Sequence, residues 1–184
     1  MIPRRAALLL PAVAAACGAP VPVLEGPAIG YAYLPPIILD VAEIVMDERT
    51  PSGGPTDIGR ELQPTPAEAV RVMGRDRLQA GGRENRARFI VVRAEILRVR
   101  QPSRGFLGGD AGERLDCRLA ARLEIEGPNQ QRLGYAEAQT ARTRTIESSQ
   151  QGRRIVAESL LRQAMFDLNT EFEFQVRRAL RPYL

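Results

Sequence analysis

The stretch RLDCRLAARLEIE, residues 114–126, alternates apolar and charged side chains. Leu115, Cys117, Leu119, Ala121, Leu123 and Ile125 fall on one parity, and Asp116, Arg118, Arg122, Glu124 and Glu126 on the other. Successive strand side chains point to opposite faces, so this pattern predicts a strand with one buried and one wet face, as in antiparallel sheets. Gly127-Pro128-Asn129 supplies a turn, and residues 132–146 supply the next strand. Ala136, Ala138 and Thr140 share a face there, small enough to let a helix come close.

Working outward, residues 88–100 read as a strand with Ile90, Val92, Ala94 and Ile96 on one face. Residues 37–47, rich in Ile and Val, read as the first strand. Between these two lies a sharp helix start, Thr65-Pro66-Ala67-Glu68. Thr65 can cap, Pro66 suits the first helical position, and Glu68 stands where a capping box needs it. The helix is expected over 66–80, stopping at Gly81-Gly82, with Ala67, Val70, Met73, Gly74 and Leu78 on its apolar arc. A second helix is expected over 151–181, with Leu161, Met165, Leu168, Phe172, Val176 and Ala179 in one stripe. The expected class is α+β: a four-stranded, largely antiparallel sheet with two helices on one face, in the order β-α-β-β-β-α. Leu119, Leu123, Leu161, Met165, Leu168 and Phe172 should be buried together.

The N-terminus reads as an address. Residues 1–16 carry Arg4 and Arg5, then an apolar run too short to span a bilayer, which needs about 20 residues. The run ends in Ala14-Ala15-Ala16-Cys17, which resembles the lipobox of bacterial lipoprotein signals, although Leu is favoured where Ala14 stands. That resemblance implies a diacylglyceryl group on the Cys17 thiol, cleavage before it, and acylation of the new amine by a palmitate-like chain. The alternative is plain secretion with Cys17 incidental. The Arg pair also bears a slight likeness to a twin-arginine signal, with poor flanks. Gly18 rather than Asp after the cysteine implies, by the common sorting rule, the outer membrane. Residues 17–36 hold five prolines and read as an extended tether, and residues 37–184 as one domain. Whether Tyr31, Tyr33 and Leu34 dock on that domain is left open by the sequence.

The chain has 184 residues and a formal charge of +4, which becomes +2 once Arg4 and Arg5 are removed. All its basic residues are Arg, and it has neither His nor Trp. The commonest general base and metal ligand is therefore missing. No basic block with interleaved aromatics points to nucleic acid. We expect no catalytic residues, no metal and no cofactor.

The remaining candidates are weaker. Gly105 to Asp110 joins two strands without opening a helix, so it lacks the context of a phosphate loop. Phe106 and Leu107 at its tip, with Phe166 and Phe174 off the main helical stripe, are candidate partner-binding residues. Arg142 and Arg144 share the parity of Ala138 and Thr140; either they reach solvent or Glu158, or they form an anion site. Cys117 reads as a buried structural thiol. Arg77 falls inside an apolar arc and needs a partner, for which Glu43 is one candidate.

The order of elements behind Cys17 resembles two families of small envelope lipoproteins: the lipopolysaccharide-assembly lipoprotein and the auxiliary lipoproteins of ABC-type lipid transporters. It also looks like uncharacterised envelope lipoproteins of the same layout. The likeness is architectural and carries no diagnostic motif. It implies a non-enzymatic outer-membrane lipoprotein facing the periplasm, held by its lipid anchor and serving as accessory subunit of an envelope assembly or lipid-transport complex. The alternative is a periplasmic-facing carrier of a lipid or other apolar ligand, which needs a cavity of several hundred Å³.

Overall fold

The computed structural model describes residues 29–47, 49, 54–100, 112–146 and 150–184. Strands β1 (Ile37–Leu39) and β2 (Glu43–Met46) precede helix α1 (Pro66–Arg77) and strand β3 (Leu78–Ala80). Three long strands follow, β4 (Arg86–Arg100), β5 (Glu113–Glu126) and β6 (Arg132–Ile146), and then helix α2 (Gln150–Ala179). The main sheet has the order β2-β4-β5-β6, with β4, β5 and β6 antiparallel and β2 parallel to β4. This is the expected α+β class, with a mixed and mainly antiparallel sheet.

The alternation that predicted β5 is realised fully on its inner side. Leu115, Cys117, Leu119, Ala121, Leu123 and Ile125 are all buried against the helix layer. Leu161, Met165, Leu168 and Phe172 of α2 meet them, as expected. Phe89 of β4 packs edge-on to Phe172, with ring centroids 5.6 Å apart. Gly74 of α1 lies so close to Phe89 that a Cβ there would stand 2.7 Å from its Cε1. Both helices thus share the sheet's inner face. The stripe ends differently from expectation: Ala179 is exposed and Leu180 is buried in its place. Phe172, Val176 and Leu180 follow the four-residue spacing, and the chain leaves the α-helix at Ala179 for a 3-10 turn over Arg181–Tyr183.

Three local expectations are corrected. The single strand over 37–47 is two strands in two sheets. β1 pairs in parallel with β3, and β2 with β4. Between them the Ala42 N–H donates to the Glu84 carbonyl at 2.9 Å, and the Asp40 N–H to the Tyr183 carbonyl at 2.8 Å. The helix expected to Ala80 stops at Arg77, because Leu78–Ala80 is taken up by pairing with β1. Gly81 and Gly82 do not cap the helix. They admit the β1–β2 bend, since a Cβ on Gly82 would collide with Asp40.

The third correction lies in β4. Ala87, Phe89 and Val91 face inward, and so do Ala94 and Ile96. Such a parity change requires an extra residue, and the pairing with β5 steps from Val91↔Ala121 to Arg93↔Ala120. Val92 is the bulged residue. The expected inward face was therefore right for Ala94 and Ile96 and inverted for Ile90 and Val92.

The helix start stands as read. The Thr65 hydroxyl accepts from the Glu68 N–H at 3.3 Å, and the Glu68 carboxylate accepts from the Thr65 N–H at 2.8 Å. These contacts hold the Glu68 carboxyl below its usual range. Just before α1, residues 56–58 extend the edge of β4 beyond β2. The Arg98 N–H donates to the Thr56 carbonyl and the Ile58 N–H to the Ile96 carbonyl, each at 2.9 Å. The buried Asp57 carboxylate accepts from the N–H groups of Ile96 at 3.0 Å and Gly59 at 2.9 Å.

Candidate functional site

Helix α2 buries one stripe and leaves the other large side chains to water. Phe166 is 70 % exposed and Phe174 is 56 % exposed, off the core as expected. They are eight residues apart, about 12 Å along the axis and about 80° around it. They are two separate apolar points rather than one patch. Phe106, Leu107 and Cys17 lie outside the described residues.

The Arg142 Nε donates to the Asp167 carboxylate at 2.5 Å, joining β6 to α2 and raising the guanidinium pKa. Arg144 is exposed and makes no ion pair among the described residues. Glu158, the partner considered for this pair, binds Arg154 instead at 3.0 Å. One of the two candidate anion-binding guanidinia is thus already partnered within the fold.

Arg77 is 1 % exposed. Its Nε donates to Asn169 Oδ1 at 3.1 Å, and its other nitrogens donate to the Pro35 carbonyl and the Glu173 carboxylate. The partners therefore come from α2 and from the chain before β1. Glu43 stands instead near Arg86, at 3.8 Å. The Tyr31 N–H donates to Asp76 at 2.7 Å and Tyr31 is buried, whereas Tyr33 is exposed. The chain is consequently pinned to the helix layer from Tyr31 through Pro35. Cys117 is fully buried, and burial, helped by the Asp57 and Glu95 carboxylates, pushes its thiol up to about 12.

The outer face of the sheet carries a lattice of charge. Glu126 takes Arg86 at 2.8 Å and Arg88 at 3.2 Å. Arg122 reaches Glu137 at 2.6 Å and Glu124 at 3.5 Å. Arg122 and Arg132 also stack over Tyr135, at 5.6 and 5.0 Å from the ring centroid. Among the described residues these pairs satisfy one another.

One concave feature was not foreseen. A half-open cleft of about 500 Å³ is lined by Ile58, Glu61, Leu62, Arg98, Arg153, Arg154 and Ala157. Its residues come from the segment before α1, the far end of β4 and the start of α2. The sequence offered one faint signal for it: Arg153 and Arg154 stand near the positive end of a helix dipole, where acids are favoured, and the first turn holds no acidic residue.

Among the described residues no cluster of acids or cysteine is placed to hold a metal ion, and no helix is long and apolar enough to cross a membrane. No protein-family model and no curated protein matches the chain. A solved minor lipoprotein from Acinetobacter baumannii is similar over 80 % of this chain and 96 % of its own, at 15 % identity and a TM-score of 0.38.

Proposed function

We propose that this chain is a non-enzymatic lipoprotein of the bacterial envelope, anchored through an acylated Cys17 at the outer membrane and facing the periplasm. In that role it serves as accessory subunit of an envelope assembly or lipid-transport complex, working through its surface. The observation that carries the reading is the apolar run closing on Ala14-Ala15-Ala16-Cys17, followed by a proline-rich stretch. Pinning of the domain at Tyr31 sets the reach of that stretch. Thirteen residues separate Cys17 from Tyr31, a span of at most about 50 Å.

The packed interior favours a surface role over that of a carrier enclosing an apolar ligand between sheet and helices. A carrier holding an apolar ligand between sheet and helices needs a void there. The described inner side chains instead pack with almost no accessible surface, and Phe89 and Phe172 meet at the centre. Surface points such as Phe166 and Phe174 are left for a partner.

The test is to replace the anchor residue. Cys17→Ser should abolish metabolic labelling with an alkyne-tagged fatty acid and move the chain out of the outer-membrane fraction. Unchanged labelling of the Cys17→Ser chain would overturn the lipoprotein reading.

A further inference from the structure

We propose that the cleft at the start of α2 binds the head of an anionic amphiphile, a phosphodiester bearing a hydroxyl donor. The inference goes beyond the anchoring role, since the cleft lies in the folded domain and does not depend on Cys17. Its volume, about 500 Å³, lies in the range of small-ligand sites. Its walls divide by chemistry. Leu62 and Ala157 are buried and Ile58 is half-buried, which gives an apolar floor. Three guanidinium groups, Arg98, Arg153 and Arg154, line the same space.

The three are not equally engaged. Arg153 holds Glu113 through Nε at 3.1 Å and Nη2 at 3.0 Å. Arg154 holds Glu158 through Nε at 3.0 Å. Among the described residues each of these two forks keeps N–H donors over. Arg98 holds no carboxylate among the described residues, although Glu61 lines the same cleft. Guanidinium forks match the oxygens of a phosphate, and several can share one group. The first turn of α2 adds positive potential and has no acid of its own to offset it.

Glu61 narrows the ligand class. A carboxylate beside the three arginines opposes a compact, multiply charged anion. It accepts a hydrogen bond from a hydroxyl on the head. The apolar floor then takes the first methylenes of the attached chain. A singly charged phosphodiester amphiphile satisfies all three walls, whereas free phosphate satisfies one.

The experiment uses the full chain carrying Cys17→Ser, so that no acyl group of its own competes and failure of the anchoring reading leaves the result untouched. Isothermal titration is run with dihexanoyl phosphatidylglycerol below its micelle concentration, and with glycerol 3-phosphate, inorganic phosphate and hexyl glucoside. We expect saturable one-to-one binding of the first, with the others weaker by about tenfold or more. Arg98→Glu should weaken binding by about tenfold or more, and Arg98→Lys by less, with the unfolding midpoint unchanged. If Arg98→Glu alters folding, Arg154→Glu, at an exposed position, replaces it with the same expectation. Absence of saturable binding overturns the proposal. So does phosphate or hexyl glucoside binding as tightly as the phospholipid, or a charge reversal that leaves affinity unchanged.

Discussion

The two faces of β5 are built from one strand and held by different physics. On the inner face six consecutive same-parity side chains are buried against the helices. On the outer face Arg114 meets Asp116 at 2.7 Å, Arg122 meets Glu137 and Glu124, and Glu126 holds two arginines from β4. Each inner leucine or isoleucine removes apolar area from water and contributes about 1.5–3 kcal/mol, and Ala121 contributes less. A pair that stays open to water on both sides, such as Arg122 with Glu137, contributes about 0–1 kcal/mol, while Asp116 and Glu126 are themselves buried beneath their arginines. The inner face therefore carries most of the stabilisation that folds the domain, and the outer pairs add less. The same division runs along α2, where Leu168 is fully buried and Phe166, two residues away, is mostly exposed.

The comparison breaks most readily from the inside. Leu168→Ala should cost about 2–5 kcal/mol in chemical denaturation, since the cavity it leaves is lined by a closed core. A loss below about 1 kcal/mol would mean that the layer is loose. The Cys117 thiol reports the same seal. In the folded chain it should resist a maleimide at pH 8, and its labelling should follow unfolding. Because the folded thiol titrates near 12 and the free one near 9, this group's contribution is complete below pH 9 and is lost as pH rises toward 12. Rapid labelling of the native chain would show that water reaches the inner face. On the outer face, Arg122→Gln should change stability by about 0–1 kcal/mol, less at high salt. A cost matching that of Leu168→Ala would show that the charge lattice, too, holds the fold.

How much of this was legible depended on how local the cause was. β5 and β6 were readable because burial on one face writes an alternation into the sequence. The capping box at Thr65 and Glu68 was readable because its partners are three residues apart. The split between β1 and β2 was masked, since apolar residues flank Asp40, Ala42 and Glu43 on both sides and the break itself comes from a change of partner. For the same reason Leu78 looked helical: its apolar spacing continues that of α1 while its backbone pairs with Ile37. The bulge at Val92 left no mark either, because Ile90, Val91 and Val92 are all apolar and either parity reads well. Arg77 announced that it needed a partner without saying which. Asn169 and Glu173 lie more than ninety residues away. The cleft assembles three distant segments, and only the arginines at the start of α2 hinted at it.

The separation of a sealed interior from an exposed helix face is tested most directly by exchanging apolar groups that should not matter to folding. The double substitution Phe166→Ser and Phe174→Ser is measured by chemical denaturation beside the parent chain and Leu168→Ala. We predict that the double variant stays within about 0.5 kcal/mol of the parent while Leu168→Ala loses several. If the double variant is destabilised as strongly as Leu168→Ala, the two phenylalanines belong to the core, and the division between a structural inside and a functional outside fails on this helix.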